Sequence, residues 1–254
     1  MAVYITGDTH AEWMSRFNRN NFPEQRELSR DDFVIVLGDF GLWHDGKDEK
    51  HRLDWLEDKP WTTLWVDGNH ENYDRIYSDE FETVDFHGGK VQKIRDHVLH
   101  LKRGEVFELD EKKFFVFGGA SSHDVDDGIL DPCDFESGQE FAKEYKRWQK
   151  EGKIFRVNHY SWWKEEMPSK EEMDHGRMTL YKHNWEVDYV LTHCLPQGVA
   201  SAVGFRDPDV LTCYLERLVT DGLKFDHWFC GHYHREEDVF GKFHIRYYRI
   251  ERIV

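Results

Sequence analysis

The 254-residue chain carries a formal net charge of -16, and 39% of its residues are hydrophobic. Its mean hydropathy of -0.79 argues against a membrane protein, as does the absence of any apolar run near the roughly 20 residues that a membrane helix needs. The negative charge disfavours sequence-independent binding to long nucleic acid, which depends on Lys and Arg neutralising phosphates. A small phosphorylated substrate stays compatible with this charge, because a metal can make one pocket locally positive.

Two features predict a cytoplasmic protein. Residues 1–10 lack the basic region and the long apolar core of a signal peptide. The four cysteines, Cys133, Cys194, Cys213 and Cys230, form no CxxC pair, which is typical of free thiols in a reducing compartment. The 16 histidines cluster near glycines and acids, and this pattern indicates that histidines bind a metal.

Five short apolar runs are each followed by Gly or Thr and then by an acid, Asn or His. Because the runs are rich in β-branched and aromatic residues, they predict buried strands. The runs with their following residues occupy 3–10, 33–41, 63–71, 189–196 and 227–234. Helical spacing in 51–57 and 209–219 alternates with them, which predicts parallel pairing in a layered α/β fold.

Two further segments predict antiparallel pairing, so the expected fold is two packed mixed β-sheets flanked by helices. Residues 97–119 have the pattern of antiparallel strands, and residues 238–250 have that of a hairpin around a Gly-Lys turn. Residues 121–185 are charged and aromatic and predict a largely helical insertion near the mouth of the site, with helices at 139–150 and 169–183. No linker separates this insertion, so we expect one domain over residues 1–254.

Seven potential metal ligands follow the five predicted strands. In open α/β sheets, ligands bind beyond the carboxyl ends of the strands, so these side chains are expected to converge. Two pairs have members two residues apart, which in extended backbone would aim both members at one point. The full set is Asp8, His10, Asp39, Asn69, His193, His232 and His234.

Two carboxylates, one amide oxygen and four imidazoles suit Mn, Fe, Zn or Co better than Ca or Mg. Seven donors exceed the needs of one tetrahedral zinc. They fit two divalent ions about 3.5–4 Å apart with one shared carboxylate, as in many phosphoesterases. Two such ions, two carboxylates and a bridging hydroxide leave a charge of about +1, which favours a phosphate oxyanion.

The segment DGNHEN, residues 67–72, contains a second kind of candidate. Asn69 offers an oxygen to a metal without adding charge, and Gly68 is expected to allow a sharp turn. His70 is the next residue and points elsewhere, so it is a candidate catalytic residue that donates a proton to the leaving-group oxygen. A buried, hydrogen-bonded histidine is the structural alternative. Glu71 is expected to orient the loop or to cap a helix.

Taken in order, GDTH, GDFG, GNHE, TH and GHYH resemble the D-x-H, G-D, G-N-H-[DE], H and G-H-x-H signature of the calcineurin-like metallophosphoesterase superfamily. The motifs span nearly the whole chain. The resemblance implies a β-sandwich flanked by helices, two metal ions, and hydrolysis of a phosphoester, with His70 donating a proton or contacting phosphate. It assigns Asp8, His10, Asp39 and His234 to one ion, and Asp39, Asn69, His193 and His232 to the other.

The chain departs from the serine/threonine protein phosphatases of that superfamily. Leu42 and Trp43 stand where those enzymes have an acid that pairs with the histidine and a phosphate-binding arginine. This argues against a protein phosphatase and leaves Asp45, Asp67 and Asp74 as candidate partners of His70. The segments GGASSHD, SWWKEEMPS and DYVLTHCLP resemble a group of small bacterial and prophage metallophosphoesterases with undefined substrates.

The predicted function is hydrolysis of a small phosphomonoester or phosphodiester, such as a nucleotide, by attack of a metal-bridging hydroxide. One alternative is a non-catalytic metal-containing interaction module on the same fold, which the retention of all seven ligands and His70 disfavours. The other alternative is a nuclease, for which the acidic charge makes long DNA a poor substrate.

Trp162 and Trp163 either form a stacking wall for a base or anchor the insertion to the core. His123 is a candidate substrate contact, and residues 87–89 predict a surface turn.

Overall fold

Two mixed β-sheets pack against each other and carry helices on their outer faces. The structure is a computed structural model that describes residues 1–43 and 46–254. The first sheet has seven strands, four of which are parallel neighbours. In spatial order its strands are β15 (Glu251–Arg252), β1 (Val3–Thr6), β2 (Phe33–Leu37), β3 (Thr62–Val66), β6 (Val98–Leu101), β5 (Gly89–Arg95) and β4 (Glu82–Phe86).

The second sheet has six strands and an antiparallel strand at each edge. In spatial order its strands are β13 (Glu237–Val239), β14 (Phe243–Ile245), β12 (His227–Cys230), β11 (Tyr189–Thr192), β8 (Lys112–Phe117) and β7 (Glu105–Leu109). The fold class expected from the sequence is therefore confirmed, and so is the hairpin at the Gly-Lys turn, which joins β13 to β14.

Three apolar clusters show how the layers are held together. Alternate residues of a strand face opposite sides of a sheet. Ile5 and Leu64 of the first sheet and Leu191 of the second belong to the cluster between the sheets. The neighbouring residues of the same strands face outward, where Tyr4 and Val190 lie under the outer helices.

The helices cover the two outer faces. The α-helices of the described residues are α1 (Trp13–Arg16), α2 (Lys47–Glu57), α3 (Tyr73–Ile76), α4 (Gly138–Glu151), α5 (Lys170–Lys182), α6 (Gln197–Ala202) and α7 (Val210–Thr220). Leu53 of α2 packs on the first sheet, and Leu211 and Leu215 of α7 pack on the second. Among the helices described, none has the length and apolar character needed to cross a membrane.

One strand pairing differs from the sequence expectation. Residues 97–119 predict a run of antiparallel strands, but only β7 and β8 pair with each other in that way. β6 joins the other sheet, where it lies parallel to β3 and antiparallel to β5. The chain crosses between the sheets at 102–104, where the buried Arg103 side chain meets Asp67.

The segment 121–185 contains α4 and α5 at the positions where the sequence predicts helices. Side chains cap the beginnings of both helices, since Ser137 accepts a hydrogen bond from the N–H of Glu140 in α4 and a Ser169–Glu172 capping box begins α5. The segment also contains a small parallel sheet that the sequence does not reveal, formed by β9 (Ile129–Leu130) and β10 (Arg156–Val157). β10 brings Arg156 towards the candidate site described next.

Candidate metal centre

Five loops meet at the carboxyl ends of β1, β2, β3, β11 and β12, and they contain all seven predicted ligands. The first sheet supplies a carboxylate and an imidazole after β1, a second carboxylate after β2 and an amide after β3. The second sheet supplies the imidazoles that follow β11 and β12. The two sheets therefore contribute opposite walls of one site, as the strand-end pattern predicts.

One cluster contains two carboxylates and two imidazoles. Ligand atoms of Asp8, His10, Asp39 and His234 all lie within 4.8 Å of one another. The Nε2 atoms of His10 and His234 are 3.2 Å apart, and His234 Nε2 is 3.0 Å from Asp8 Oδ2. This grouping is the one that the family resemblance implies for one metal ion.

A second cluster lies deeper in the molecule and is centred on the amide oxygen of Asn69. Asn69 Oδ1 is 3.1 Å from His232 Nδ1 and 3.3 Å from His193 Nε2. His193 donates its Nδ1–H to the carbonyl oxygen of Leu37 at 2.7 Å. That hydrogen bond keeps a proton on Nδ1 and makes Nε2 the atom that can bind a metal.

Asp39 lies between the two clusters. Its Oδ1 is 3.4 Å from His193 Nε2, and its Oδ2 is 3.9 Å from His10 Nε2. The backbone N–H of His70 donates to Oδ1 at 2.8 Å, which holds the carboxylate in this orientation. One carboxylate thus presents an oxygen to each cluster.

The donor set fits divalent cations. Asp8 Oδ2 is buried and accepts no hydrogen bond of ordinary geometry, although His234 Nε2 lies close to it. Buried polar atoms without hydrogen bonds are rare, and an ion is one common reason for them. Imidazole and carboxylate donors that converge in this way are typical of first-row divalent metals.

Electrostatics point to the same conclusion. Burial alone would raise the pKa of Asp39, but the neighbouring His193 holds it well below its ordinary value. Burial would lower the pKa of His193, yet the charges of Asp39 and Asp8 raise it to about 10. Burial and the nearby His193 and His123 lower the pKa of His232 well below its ordinary value. The carboxylates thus form a negative pocket in which His193 carries a proton until a cation replaces it.

A family comparison decides the identity of this arrangement. The model of the calcineurin-like phosphoesterase family matches residues 1–236 of the chain. The chain belongs to the calcineurin-like phosphoesterase family. It is therefore a metal-dependent phosphoester hydrolase, as the sequence motifs predict.

Two other comparisons add less. No curated protein matches the chain. Among solved structures, the crystal structure of phosphopantetheinyl hydrolase from Mycobacterium tuberculosis is similar, with a TM-score of 0.45 and 16% sequence identity. The match covers 100% of this chain and 95% of that chain.

Close backbone packing explains two glycines of this calcineurin-like site. A Cβ atom on Gly68 would lie 2.1 Å from Asp39 Oδ1, and one on Gly38 would lie 2.0 Å from His193 Nδ1. Gly38 also has a φ of +97°, which L-residues rarely adopt. Gly68 has no positive φ, so its close approach to Asp39, rather than a left-handed conformation, is what requires a glycine there. The approach of two loops requires a residue without a side chain.

Four proposed ligands have left-handed rather than extended backbone, although Asp8 and His10 still converge as expected. His10, His232 and His234 have φ values of 45°, 66° and 48°, and Asp39 has a φ of 47°. His232 and His234 consequently face different clusters rather than one point. Left-handed conformations at four proposed ligands fit the tendency of backbone strain to collect at functional sites.

His70 lies beside the first cluster and lines a cavity of about 360 Å³ together with His10 and Arg156. Its ring centroid is 5.8 Å from that of His10. Burial lowers the pKa of His70, Asp39 opposes this effect and Arg156 adds to it. Burial therefore favours the neutral form of the ring, whose single N–H can serve as a hydrogen-bond donor.

Two of the three carboxylates predicted as candidate partners of the His70 ring, Asp67 and Asp74, contact other side chains. The Asp67 carboxylate accepts hydrogen bonds from Arg103 Nε at 2.7 Å and Tyr73 OH at 2.9 Å. Asp74 Oδ1 lies 2.8 Å from His159 Nδ1. Both carboxylates thus serve other groups. The third candidate, Asp45, lies outside the described residues, as does His44.

The role expected for Glu71 as a loop-orienting residue agrees with its contacts. Glu71 is fully buried, and its carboxyl accepts hydrogen bonds from the backbone N–H groups of Phe40 at 2.6 Å and Gly41 at 3.3 Å. These bonds join the loop after β3 to the loop after β2. The two loops are thereby held at the spacing that places Asn69 next to Asp39.

The structure reveals supporting residues that the sequence motifs do not identify. Asn69 Nδ2 donates to Ser122 Oγ at 3.3 Å, and Ser122 in turn donates from its N–H at 2.9 Å and its Oγ at 2.7 Å to the carboxyl of Glu166. His123 Nε2 lies 2.8 Å from His232 Nε2, so it orients a proposed ligand. The sequence analysis named His123 as a candidate substrate contact, which stays a prediction, but it did not indicate the contact with His232. The GGASSHD segment is the sequence signal that could have indicated Ser122.

Two other sequence candidates have clear positions. His87 lies in the turn between β4 and β5, near Phe33 at the start of β2, and so at the opposite end of the strand from the ligands. This agrees with the predicted surface turn. Trp163 is buried and belongs to the core cluster that includes Trp13, which supports the anchoring role, but it also lines the cavity beside His70.

Proposed function

We propose that the chain is a two-metal phosphoesterase that hydrolyses a small phosphomonoester or phosphodiester. The observation that carries this proposal is the position of Asp39, whose two carboxylate oxygens face two separate groups of donors. A shared carboxylate is the expected link between two ions that lie about 3.5–4 Å apart. The mixed nitrogen and oxygen donors support Mn, Fe, Zn or Co as the ions.

Asp8, His10, Asp39 and His234 would hold one ion, and Asp39, Asn69, His193 and His232 would hold the other. When bound, such ions lower the pKa of water and neutralise charge on phosphoryl oxygens. The protein keeps the donors in place before binding, because backbone N–H groups of His232 and His70 donate to Asp8 Oδ1 at 2.9 Å and to Asp39 Oδ1 at 2.8 Å. Ser122 Oγ accepts a hydrogen bond from Asn69 Nδ2, and His123 Nε2 lies 2.8 Å from His232 Nε2, so both side chains restrain proposed ligands.

In this mechanism His70 is the catalytic residue that hydrogen-bonds to the leaving-group oxygen. The Asp39 carboxylate accepts its hydrogen bond from the His70 backbone N–H, so this contact does not occupy the ring. A hydrogen bond to the departing oxygen stabilises the charge that develops there during P–O cleavage. Replacement of the ring by a methyl group therefore removes this contact and leaves the metal ligands in place.

Metal counting tests the two-ion site. We expect the chelator-stripped protein, reloaded with Mn²⁺, to bind two ions per chain by elemental analysis. His234→Ala and His232→Ala should each retain about one ion, because they face different clusters. His87→Ala, at the far end of β2, is the matched control and should retain both. Saturation of the wild-type chain at a single ion would contradict the proposal.

Turnover tests the role of His70. We expect the Mn²⁺-loaded protein to hydrolyse p-nitrophenyl phosphate or its bis-ester. His70→Ala should slow an alkyl ester of the same phosphorus group by about 100-fold, within the range for loss of a positioned donor or acid. The p-nitrophenyl ester should be slowed much less, since nitrophenolate leaves without assistance. Unchanged rates on both esters, with normal metal content, would remove His70 from the mechanism.

A further inference from the structure

The cavity beside His10 and His70 has walls that come from two separate parts of the chain. Trp43 follows β2, whereas Arg156, Tyr160, Ser161 and Trp163 belong to the 121–185 insertion. Its volume of about 360 Å³ lies within the range of small-molecule sites. The lining is mainly aromatic, so it suits a flat ring.

The charges around the cavity favour an uncharged group. Arg156 is the one permanently charged side chain among the described residues that line it, and its guanidinium forms an ion pair with Asp124. A second phosphate would have to compete with that carboxylate for the arginine. An ionised group placed in an aromatic cavity without a free partner loses its hydration and is disfavoured.

A carboxylate oxygen lies at the same end of the cavity. Asp124 Oδ1 is buried and accepts no hydrogen bond from any other described residue. Arg156, Tyr160 and Ser161 also line a neighbouring cleft that includes Asp124. A ligand that fills the cavity and extends into the cleft could therefore donate an N–H or O–H to this oxygen, which a nucleobase or a ribose can do.

We propose that this cavity binds the nucleoside part of a nucleotide substrate, with the base against Tyr160, Trp43 and Trp163. The proposal rests on the proposed function, because His10 and His70 place the cavity next to the phosphorus centre. Stacking of a base on aromatic side chains is worth about 1–3 kcal/mol, which corresponds to a factor of about 5 to 150 in affinity. The insertion would then select the substrate, while the sheet loops hold the metals.

Binding of non-hydrolysable analogues tests the proposal independently of turnover. The two probes are adenosine 5′-phosphonate, in which CH₂ replaces the ester oxygen, and the matching ribose 5-phosphonate, which lacks the base. Calorimetry on the Mn²⁺-loaded protein should show at least about 5-fold tighter binding of the nucleoside analogue. Equal affinities would overturn the proposal, even if the protein hydrolyses simple esters. A clear preference for the base would support it, even if no ester tested is hydrolysed.

Matched tyrosine variants identify the cavity as the place where the base binds. Tyr160 and Tyr181 have nearly equal exposure, 67% and 68%, but only Tyr160 lines the cavity. Tyr160→Ala should reduce the preference for the nucleoside analogue by about 5-fold. Tyr160→Phe, which keeps the ring, should preserve the preference, as should Tyr181→Ala. An equal effect of the two alanine variants would refute the assignment.

Discussion

The buried carboxyl of Glu166 gives a prediction about stability that follows directly from its surroundings. Burial raises the pKa of Glu166 from its usual 4.5 to about 7, against the opposing effect of the hydrogen bonds from Ser122. Between these values the unfolded chain has lost the proton while the folded chain still binds it. Because the folded state binds more protons, its stability falls as the pH rises through this window.

The size of the effect follows from the shift. A difference of about 2.5 units, at about 1.36 kcal/mol per unit, lowers the free energy of unfolding by about 3 kcal/mol between pH 4.5 and pH 7. Glu166→Gln removes the titration and can keep both contacts to Ser122, one as acceptor and one as donor. The variant should therefore gain about 3 kcal/mol relative to the wild type as the pH rises across that window.

Urea unfolding at a series of pH values, with chelator present, measures this difference. The comparison of variant with wild type cancels the other titrating groups. Glu171→Gln, an exposed glutamate in the first turn of α5, is the control and should show a much smaller pH-dependent difference. If the Glu166→Gln difference is the same at pH 4.5 and pH 8, the carboxyl is not protonated in the folded state and the reasoning is refuted.

Three further predictions concern the loops around the metal site. Asp67→Asn should cost about 3 kcal/mol in urea unfolding, because it leaves the buried Arg103 guanidinium without its main counter-charge. The combination with Arg103→Met should cost less than the sum of the two single changes, and strict additivity would contradict this. Gly68→Ala should abolish binding of both ions, as counted by elemental analysis, because its Cβ would displace Asp39; normal metal content would refute this. Addition of Mn²⁺ to the metal-free protein in weak buffer near pH 7 should release protons, since the pKa of His193 is raised to about 10; a titration without proton release would count against that protonated state.

The sequence predicts the strands and their loops well because the signals are local. A buried strand such as β2 is a continuous run of apolar residues, and its end is marked by Gly38 and Asp39 within the same ten residues. The β13–β14 hairpin depends in the same way on a short turn. The order of five such loops places the proposed ligands at one edge of the fold.

The hydrogen bonds that support the site join residues far apart in the sequence, and no local sequence pattern predicts them. Glu166 reaches Ser122 across 44 residues, and Asp67 reaches Arg103 across 36. Asp67 lies close to His70 in the sequence, and the sequence analysis makes it a candidate hydrogen-bond partner of that histidine. Its carboxylate instead faces β6, where His100 Nε2 lies 3.2 Å from Oδ1. Nearness in sequence did not determine the direction of this side chain.

The insertion is joined to the site at two places, and these have different consequences. Through Ser122, which Glu166 holds, it restrains Asn69, and through the adjacent His123 it restrains His232, so changes there should alter metal binding as well as stability. Through Arg156 and Asp124 it closes the cavity without touching a proposed ligand. Substitutions at the second place should therefore change which ester binds while the metal content stays constant. This separation follows from the fold, because the proposed metal ligands all come from sheet loops, whereas most of the cavity wall comes from the inserted segment.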